Sequence, residues 1–178
     1  MLAMSDEDRR EHTAALLKRR ALELARAPRK TARKTDLEIL QFMVMGKPLA
    51  CEIGFVREVL RNTLPITPLP GLPSFFMGIV NIRGEIVPVI DIAAFLELQG
   101  SKQDSQSLVI LQKGVKVVGF PCDRIERVRE IARKELQTQV ASQNRTLAGL
   151  SMGCGEKGLV VLNASALLDD PRLSIMQE

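Results

Sequence analysis

Residues 78–91, GIVNIRGEIVPVID, constrain the fold more than any other stretch of the chain. β-Branched Ile and Val crowd both sides of a central Asn81-Ile82-Arg83-Gly84-Glu85, which predicts two strands joined by a tight turn. Gly84 reaches positive φ without steric cost. The chain therefore reverses there in very few residues and leaves Arg83 and Glu85 charged at the end of an apolar ribbon. Pro88 has no N–H to give to a ladder, so it predicts an edge or bulge position in the second strand and a small curved sheet.

The rest of the chain is punctuated in the same way. Leu40, Phe42 and Val44 alternate with Ile39, Gln41, Met43 and Met45, then Gly46-Lys47-Pro48 turns the chain, and Leu49, Cys51 and Ile53 return as a partner strand. Phe55, Val56, Val59 and Leu60 have helical spacing, which predicts a short helical turn carrying Arg57 and Glu58 outward. Pro65, Pro68, Pro70 and Pro73 are too dense for helix or central strand. The interleaved Leu64, Ile66, Leu69 and Leu72 make that segment an extended connector packed on a core. Residues 108–125 read as a second hairpin turning at Lys113-Gly114, and residues 128–136 as a strand with a helical turn. Residues 159–162 form a short strand before Asn163, which is placed to cap a helix through Leu168. Gly153, Gly155 and Gly158 precede a strand, so they lack the helix N-terminus that a phosphate-cradling loop needs. Many short strands with Gly and Pro between them indicate small β-barrels.

Charge separates the first 36 residues from the body. They hold 10 Lys+Arg and 6 Asp+Glu, a net +4, while the remaining 142 residues hold 15 of each. The basic balance thus belongs to an appendage and does not make a nucleic-acid-binding face on the body. Ser5 with Asp6, Glu7 and Asp8 marks a helix start, and Ala14, Leu17, Ala21 and Leu24 give that helix a narrow apolar stripe, which Pro28 ends. A docked or frayed helix is the plainer reading, and a partner-binding helix the alternative. Cys51, Cys122 and Cys154 are far apart and odd in number, matching neither a disulfide framework nor a zinc pattern, and suit a reducing cytoplasm. With His12 the only histidine, no His-based metal site or Ser-His or Cys-His nucleophile pair can be assembled in one chain. There is neither a secretory h-region nor an apolar span long enough for a membrane helix, so the chain is expected to be soluble.

The run from Phe42 through Asp91, with VREV at 56–59, together with VVGFPCDRIERV at 117–128 and LVVLNASALL at 159–168, resembles the CheW family of chemotaxis coupling proteins. The likeness covers most of the chain from about residue 37 onward. The same domain also ends the chemotaxis histidine kinase. A chain of 178 residues that begins with Met and shows no ATP-binding or phosphotransfer segment resembles the free-standing adaptor instead.

The resemblance implies a mainly β fold of two SH3-like five-stranded β-barrels with an appended N-terminal helix. Residues 1–36 would be the basic helix and linker, 37–170 the CheW-like domain and 171–178 a C-terminal tail. Within the domain, the first barrel would take about 37–82 plus 140–170, and the second about 83–139. The resemblance further implies a non-enzymatic adaptor with no catalytic residue, metal or cofactor. It would couple the cytoplasmic tips of methyl-accepting chemoreceptors to the regulatory domain of the chemotaxis histidine kinase in two-component signal transduction. Such an adaptor works in the cytoplasm, at receptor arrays beneath the inner membrane, with no nucleic acid and no direct membrane insertion. The family's receptor-binding groove lies between the barrels, and the matching positions are Val56, Glu58, Gly78, Arg83 and Val128. An ion pair between Glu58 and Arg83 would hold the groove's wall and orient the guanidinium toward a helical receptor hairpin. Each position also has a plainer reading: Val56 and Val128 as core, Gly78 as relief of crowding, and Arg83 as a solvated turn residue. The family places its kinase-binding surface on the first barrel. One departure is Leu60, followed by Arg61, where relatives often carry a basic residue directly after this motif.

The rival from another class is a nucleic-acid-binding β-barrel with a basic N-terminal arm. It needs Lys and Arg clustered on the barrel together with exposed aromatics, whereas the body is neutral and the chain has six Phe and no Trp or Tyr. A small hydrolase built on acidic residues is a third, weaker reading, marked by two carboxylates converging in one pocket.

Overall fold

The structure, a computed structural model, describes residues 36–101, 103–137 and 144–174. The helix expected within residues 1–36 lies outside the described residues. Ten strands follow in chain order: β1 (Asp36–Val44), β2 (Lys47–Glu52), β3 (Val56–Arg61), β4 (Phe76–Ile82), β5 (Glu85–Ile90), β6 (Ser107–Lys113), β7 (Lys116–Cys122), β8 (Arg124–Ala132), β9 (Ser151–Cys154) and β10 (Val160–Leu162). They build two five-stranded sheets, in the orders β8-β1-β2-β10-β9 and β3-β6-β7-β5-β4. The hairpins form where the turn chemistry allows. Met45 and Gly46 (φ 51° and 72°) join β1 to β2, and Arg83 and Gly84 (φ 51° and 90°) join β4 to β5, each a two-residue turn with both central residues left-handed.

Sheet membership differs from the expected split. Residues 56–82 give β3 and β4 to the second sheet, and β8, expected in the second barrel, lies in the first beside β1. The chain changes sheets at two short points that a strand pattern does not reveal. One is the 3₁₀ turn Ile53–Phe55. The other is the single residue Asp123 between β7 and β8, which is only 6% exposed. Its N–H donates to the Met43 carbonyl (2.8 Å), and its carboxylate accepts from the Gly46 N–H (2.9 Å), so the crossing is pinned to the β1–β2 turn. The helical turn expected from Phe55, Val56, Val59 and Leu60 is a strand from Val56 onward. Ladder pairing with β6 and β-branched Val override a four-residue periodicity. Pro88, expected at an edge or bulge, sits in an inner strand opposite Ile79. The Ile79 N–H and C=O are both engaged by Thr67 on the other side (2.9 and 2.8 Å), so Ile79 asks nothing of Pro88 and the missing donor costs that pairing nothing.

Strand alternation buries three groups of side chains. Leu37, Ile39, Ala50, Ile131, Leu159 and Val161 fill the interior of the first sheet, and Val80, Ile82, Val87, Val89, Leu108 and Ile110 that of the second. The opposite face of β1, with Leu40, Phe42 and Val44, meets Val109, Leu111, Val118 and Phe120 of the second sheet in a shared central core. There the rings of Phe42 and Phe120 lie 5.4 Å apart. Short helices border this core, each started by a side-chain cap: Asp91 for Ile92–Phe95, Asn144 for Arg145–Gly149 and Asn163 for Ala164–Leu168.

Residues from 171 onward, expected as a tail, begin instead with a helical turn, Pro171–Ser174, whose Leu173 is buried. Arg172 clamps it down. Its guanidinium grips Asp170 through two nitrogens (3.0 and 2.9 Å), donates to the Phe95 carbonyl (3.2 Å) and lies 3.9 Å from the centre of the Phe95 ring. Arg172→Ala is expected to cost about 2 kcal/mol through the lost cation–π and hydrogen-bond contacts. For a chain of this size that lowers Tm by about 4–8 °C, readable by calorimetry. Arg172 holds the Asp170 carboxyl below its usual range, so this stabilisation is present above the unfolded carboxyl pKa and fades as pH falls through the depressed folded value. The gap between wild type and variant should accordingly narrow in acid. It should not close, because the cation–π contact does not titrate.

Candidate partner-binding surface

Two consecutive charges on β3 face two charges at the β4–β5 turn. Arg57 is the extra residue of a bulge, since Val56 pairs with Leu111 and Glu58 with Ile110, and the bulge re-aims its side chain. The Arg57 guanidinium binds Glu85 in a fork, with contacts of 2.8 and 2.6 Å, and Glu58 lies 3.7 Å from Arg57 Nε and 3.3 Å from Arg83 Nη2. The ion pair expected between Glu58 and Arg83 is thus formed. Arg57, through its hydrogen bonds, holds the Glu85 carboxyl below the usual carboxylate range, and Glu85 in turn raises the guanidinium's value. By strand alternation Glu58 shares a face with Leu60, and Glu85 with Val87, both of which belong to the second core. The four charges therefore border one end of that core, and they link β3 to the β4–β5 hairpin, two parts of the sheet that share no ladder.

Arg83 is displayed by backbone geometry. It occupies a left-handed conformation that costs a non-glycine residue about 1 kcal/mol, and the Asn81 side chain steadies the turn by accepting from the Gly84 N–H at 2.8 Å. The Arg83 side chain is 79% exposed and that of Glu58 only 17%, so the pair presents an exposed cation over a largely buried anion. Asp91, which ends the GIVNIRGEIVPVID stretch, does local work only: its carboxylate accepts from the N–H groups of Ala93 and Ala94.

The other positions named from the sequence are dispersed. Val56 is half-buried and packs on the central core. Gly78 is buried at φ 142°, and a Cβ there would sit 2.2 Å from the Thr67 carbonyl oxygen, so it lets the proline-rich connector lie directly on β4. Val128 is 48% exposed on β8, in the first sheet opposite Leu40. Of the five, the structure brings Glu58 and Arg83 into contact. Arg57 and Glu85, charged positions that the family motif does not assign to the groove, complete the cluster. The signal available for them was the matching order of opposite charges, Arg-Glu in VREV and Arg-Gly-Glu at the turn. Val59 (40% exposed) and Ile86 (56% exposed) follow Glu58 and Glu85 in their strands and, by alternation, set apolar surface on the opposite face of the sheet.

No group of three His, Cys, Asp or Glu able to hold a metal ion occurs among the described residues, and no described helix is long and apolar enough to cross a membrane. Burial pushes the thiols of Cys51 and Cys122 up to about 12, so both stay protonated at neutral pH.

Residues 38–172 match the sequence model of the CheW-like domain family. Among curated proteins, a chemotaxis protein CheW of Thermotoga maritima is 29% identical over 125 residues, covering 70% of this chain and 78% of its own. Protein FrzA of Myxococcus xanthus is 31% identical over 144 residues, covering 78% of this chain and 89% of its own. A chemotaxis protein CheW of Rhizobium meliloti is 28% identical over 101 residues, and there the match spans 64% of the relative's length. Among solved structures, the scaffolding protein TtCheW of Thermoanaerobacter tengcongensis superposes with a TM-score of 0.61 at 21% identity, over 71% of this chain and 88% of that one.

Proposed function

Since the chain belongs to the family of CheW-like domains, we propose that it is a chemotaxis scaffold that couples chemoreceptors to the chemotaxis histidine kinase and performs no chemistry of its own. The receptor-facing surface in this reading centres on Arg83 and the ion pairs beneath it, with Val56, Gly78 and Val128 as the further positions the family motif assigns. The observation that carries it is the display of Arg83: a strained turn, fixed by Asn81, holds an exposed guanidinium above Glu58. A guanidinium 79% exposed over a carboxylate that is only 17% exposed keeps donors turned to solvent for a second acceptor. The receptor segment that fits is a helical hairpin with an acidic or carbonyl-rich ridge, which Arg83 would pair. The adaptor works in the cytoplasm in this reading, held at the receptor tips by these contacts, and its kinase-facing surface belongs to the first barrel.

Exposed ion pairs contribute about 0–1 kcal/mol each, so removing Arg83 separates binding from folding. Arg83→Ala is expected to weaken binding to a chemoreceptor signalling hairpin by about tenfold while leaving Tm within a few °C of wild type. Arg83→Gly should lose the same affinity and be at least as stable, because glycine accepts the left-handed turn position without strain. Titration of the labelled hairpin, with the kinase regulatory domain measured in parallel as a partner unaffected by either variant, tests the assignment. Unchanged receptor affinity in both variants would remove Arg83 from the interface.

A further inference from the structure

One end of the first sheet's interior opens into a cavity of about 300 Å³. Along β8, Arg127 and Arg129 alternate on the face that carries Ile131 of the core, so their stems continue the interior to its mouth. Gln41 of β1 lies in the same wall opposite Arg127, and Lys157 reaches the rim from the turn before β10. Of the remaining charges lining this space, Arg124 is matched by Glu126 at 2.6 Å. That leaves Arg127, Arg129 and Lys157 against the single carboxylate of Glu156, with no ion pair formed by any of the three among the described residues. Two polar atoms in the wall are also buried without a hydrogen-bond partner: the Arg129 Nε, a donor, and the Gln41 Oε1, an acceptor.

Cations gathered around one cavity repel each other, and a buried N–H without an acceptor forfeits the hydrogen bond it had in water. A single oxyanion offsets both costs, since it brings negative charge and several acceptors in a small volume. Half a turn of the Gln41 amide replaces its orphaned acceptor with a donor aimed at the same ligand. We propose that this mouth is a binding site for a small oxyanion, a phosphate or a carboxylate, held between Arg127, Arg129 and Lys157 with Gln41 at its base. The site is separate from the charge cluster around Arg83, which lies on the other sheet, and it stands or falls independently of the receptor assignment.

The test uses the full chain labelled with ¹⁵N and titrated with sodium phosphate or sodium succinate, against sodium chloride at matched ionic strength. The Arg129 Nε–H resonance is expected to move saturably with phosphate, with succinate or with both, and not with chloride. Which salts act assigns the ligand's chemistry. Arg127→Ala and Lys157→Ala, at the rim, should each weaken binding by about tenfold. Arg61→Ala, an exposed cation on β3, should leave it unchanged. Lack of a saturable shift with either oxyanion overturns the proposal, as does an affinity equal in wild type and both rim variants. Arg129→Gln, if it folds, should abolish the response, and the two rim variants keep the test decisive if it does not.

Discussion

Gly78→Ala is expected to lower the unfolding free energy by about 3 kcal/mol or more, combining an overpacked contact with strain at a positive φ. The new Cβ would lie 2.2 Å from the Thr67 carbonyl oxygen and 2.9 Å from the Pro68 Cα, both backbone atoms that cannot rotate away. To admit it, the proline-rich connector would have to lift off β4, giving up the paired hydrogen bonds between Thr67 and Ile79. Tm should fall by about 6–12 °C, measured by calorimetry or circular dichroism because the chain has no Trp or Tyr to report by fluorescence. If receptor binding is also lost in this variant, the loss should track the unfolded fraction and recover on cooling below the shifted transition. A variant as stable as wild type yet unable to bind would show that Gly78 serves the interface directly and not through the packing of the connector.

Phe120→Ala should be at least as costly, at about 3–5 kcal/mol for a fully buried aromatic side chain. Phe120 sits in the core that both sheets share, against Phe42 of the first sheet. Its removal should therefore weaken the two sheets together, giving one cooperative transition at lower denaturant in urea unfolding. Phe42→Ala should act in the same direction. The double variant should lose less than the two single losses added, because the ring contact can be broken only once. Two separated unfolding transitions in either single variant would show that each sheet carries its own stability and that the shared core merely docks them.

These expectations mark how far the sequence can be read. The β4–β5 hairpin, its Arg83-Gly84 turn, the β1–β2 and β6–β7 hairpins and the Asn163 cap were legible because each depends on neighbouring residues: alternation over a few positions, a glycine with positive φ, or a side chain reaching an N–H three residues on. The Glu58–Arg83 pair was anticipated from the family motif, and its neighbours Arg57 and Glu85 were not, because a bulge in the pairing with β6 aims Arg57 at the turn.

By itself, then, the sequence determined that the chain makes many short strands, where most of them turn, and that its family is that of CheW-like domains. Tertiary structure alone decided which strands share a sheet. Residues 108–125 read as one continuous hairpin, yet Asp123 diverts the chain to the other sheet, because its buried carboxylate and N–H find their partners at Gly46 and Met43, about eighty positions earlier in the chain. The role of Gly78 was hidden for the same reason. What requires a missing side chain there is the backbone of Thr67, which a local pattern cannot place above β4. Local rules act through dihedral angles and near neighbours, whereas sheet partnership and close backbone approach are set by contacts between distant segments that exist only once the core has formed.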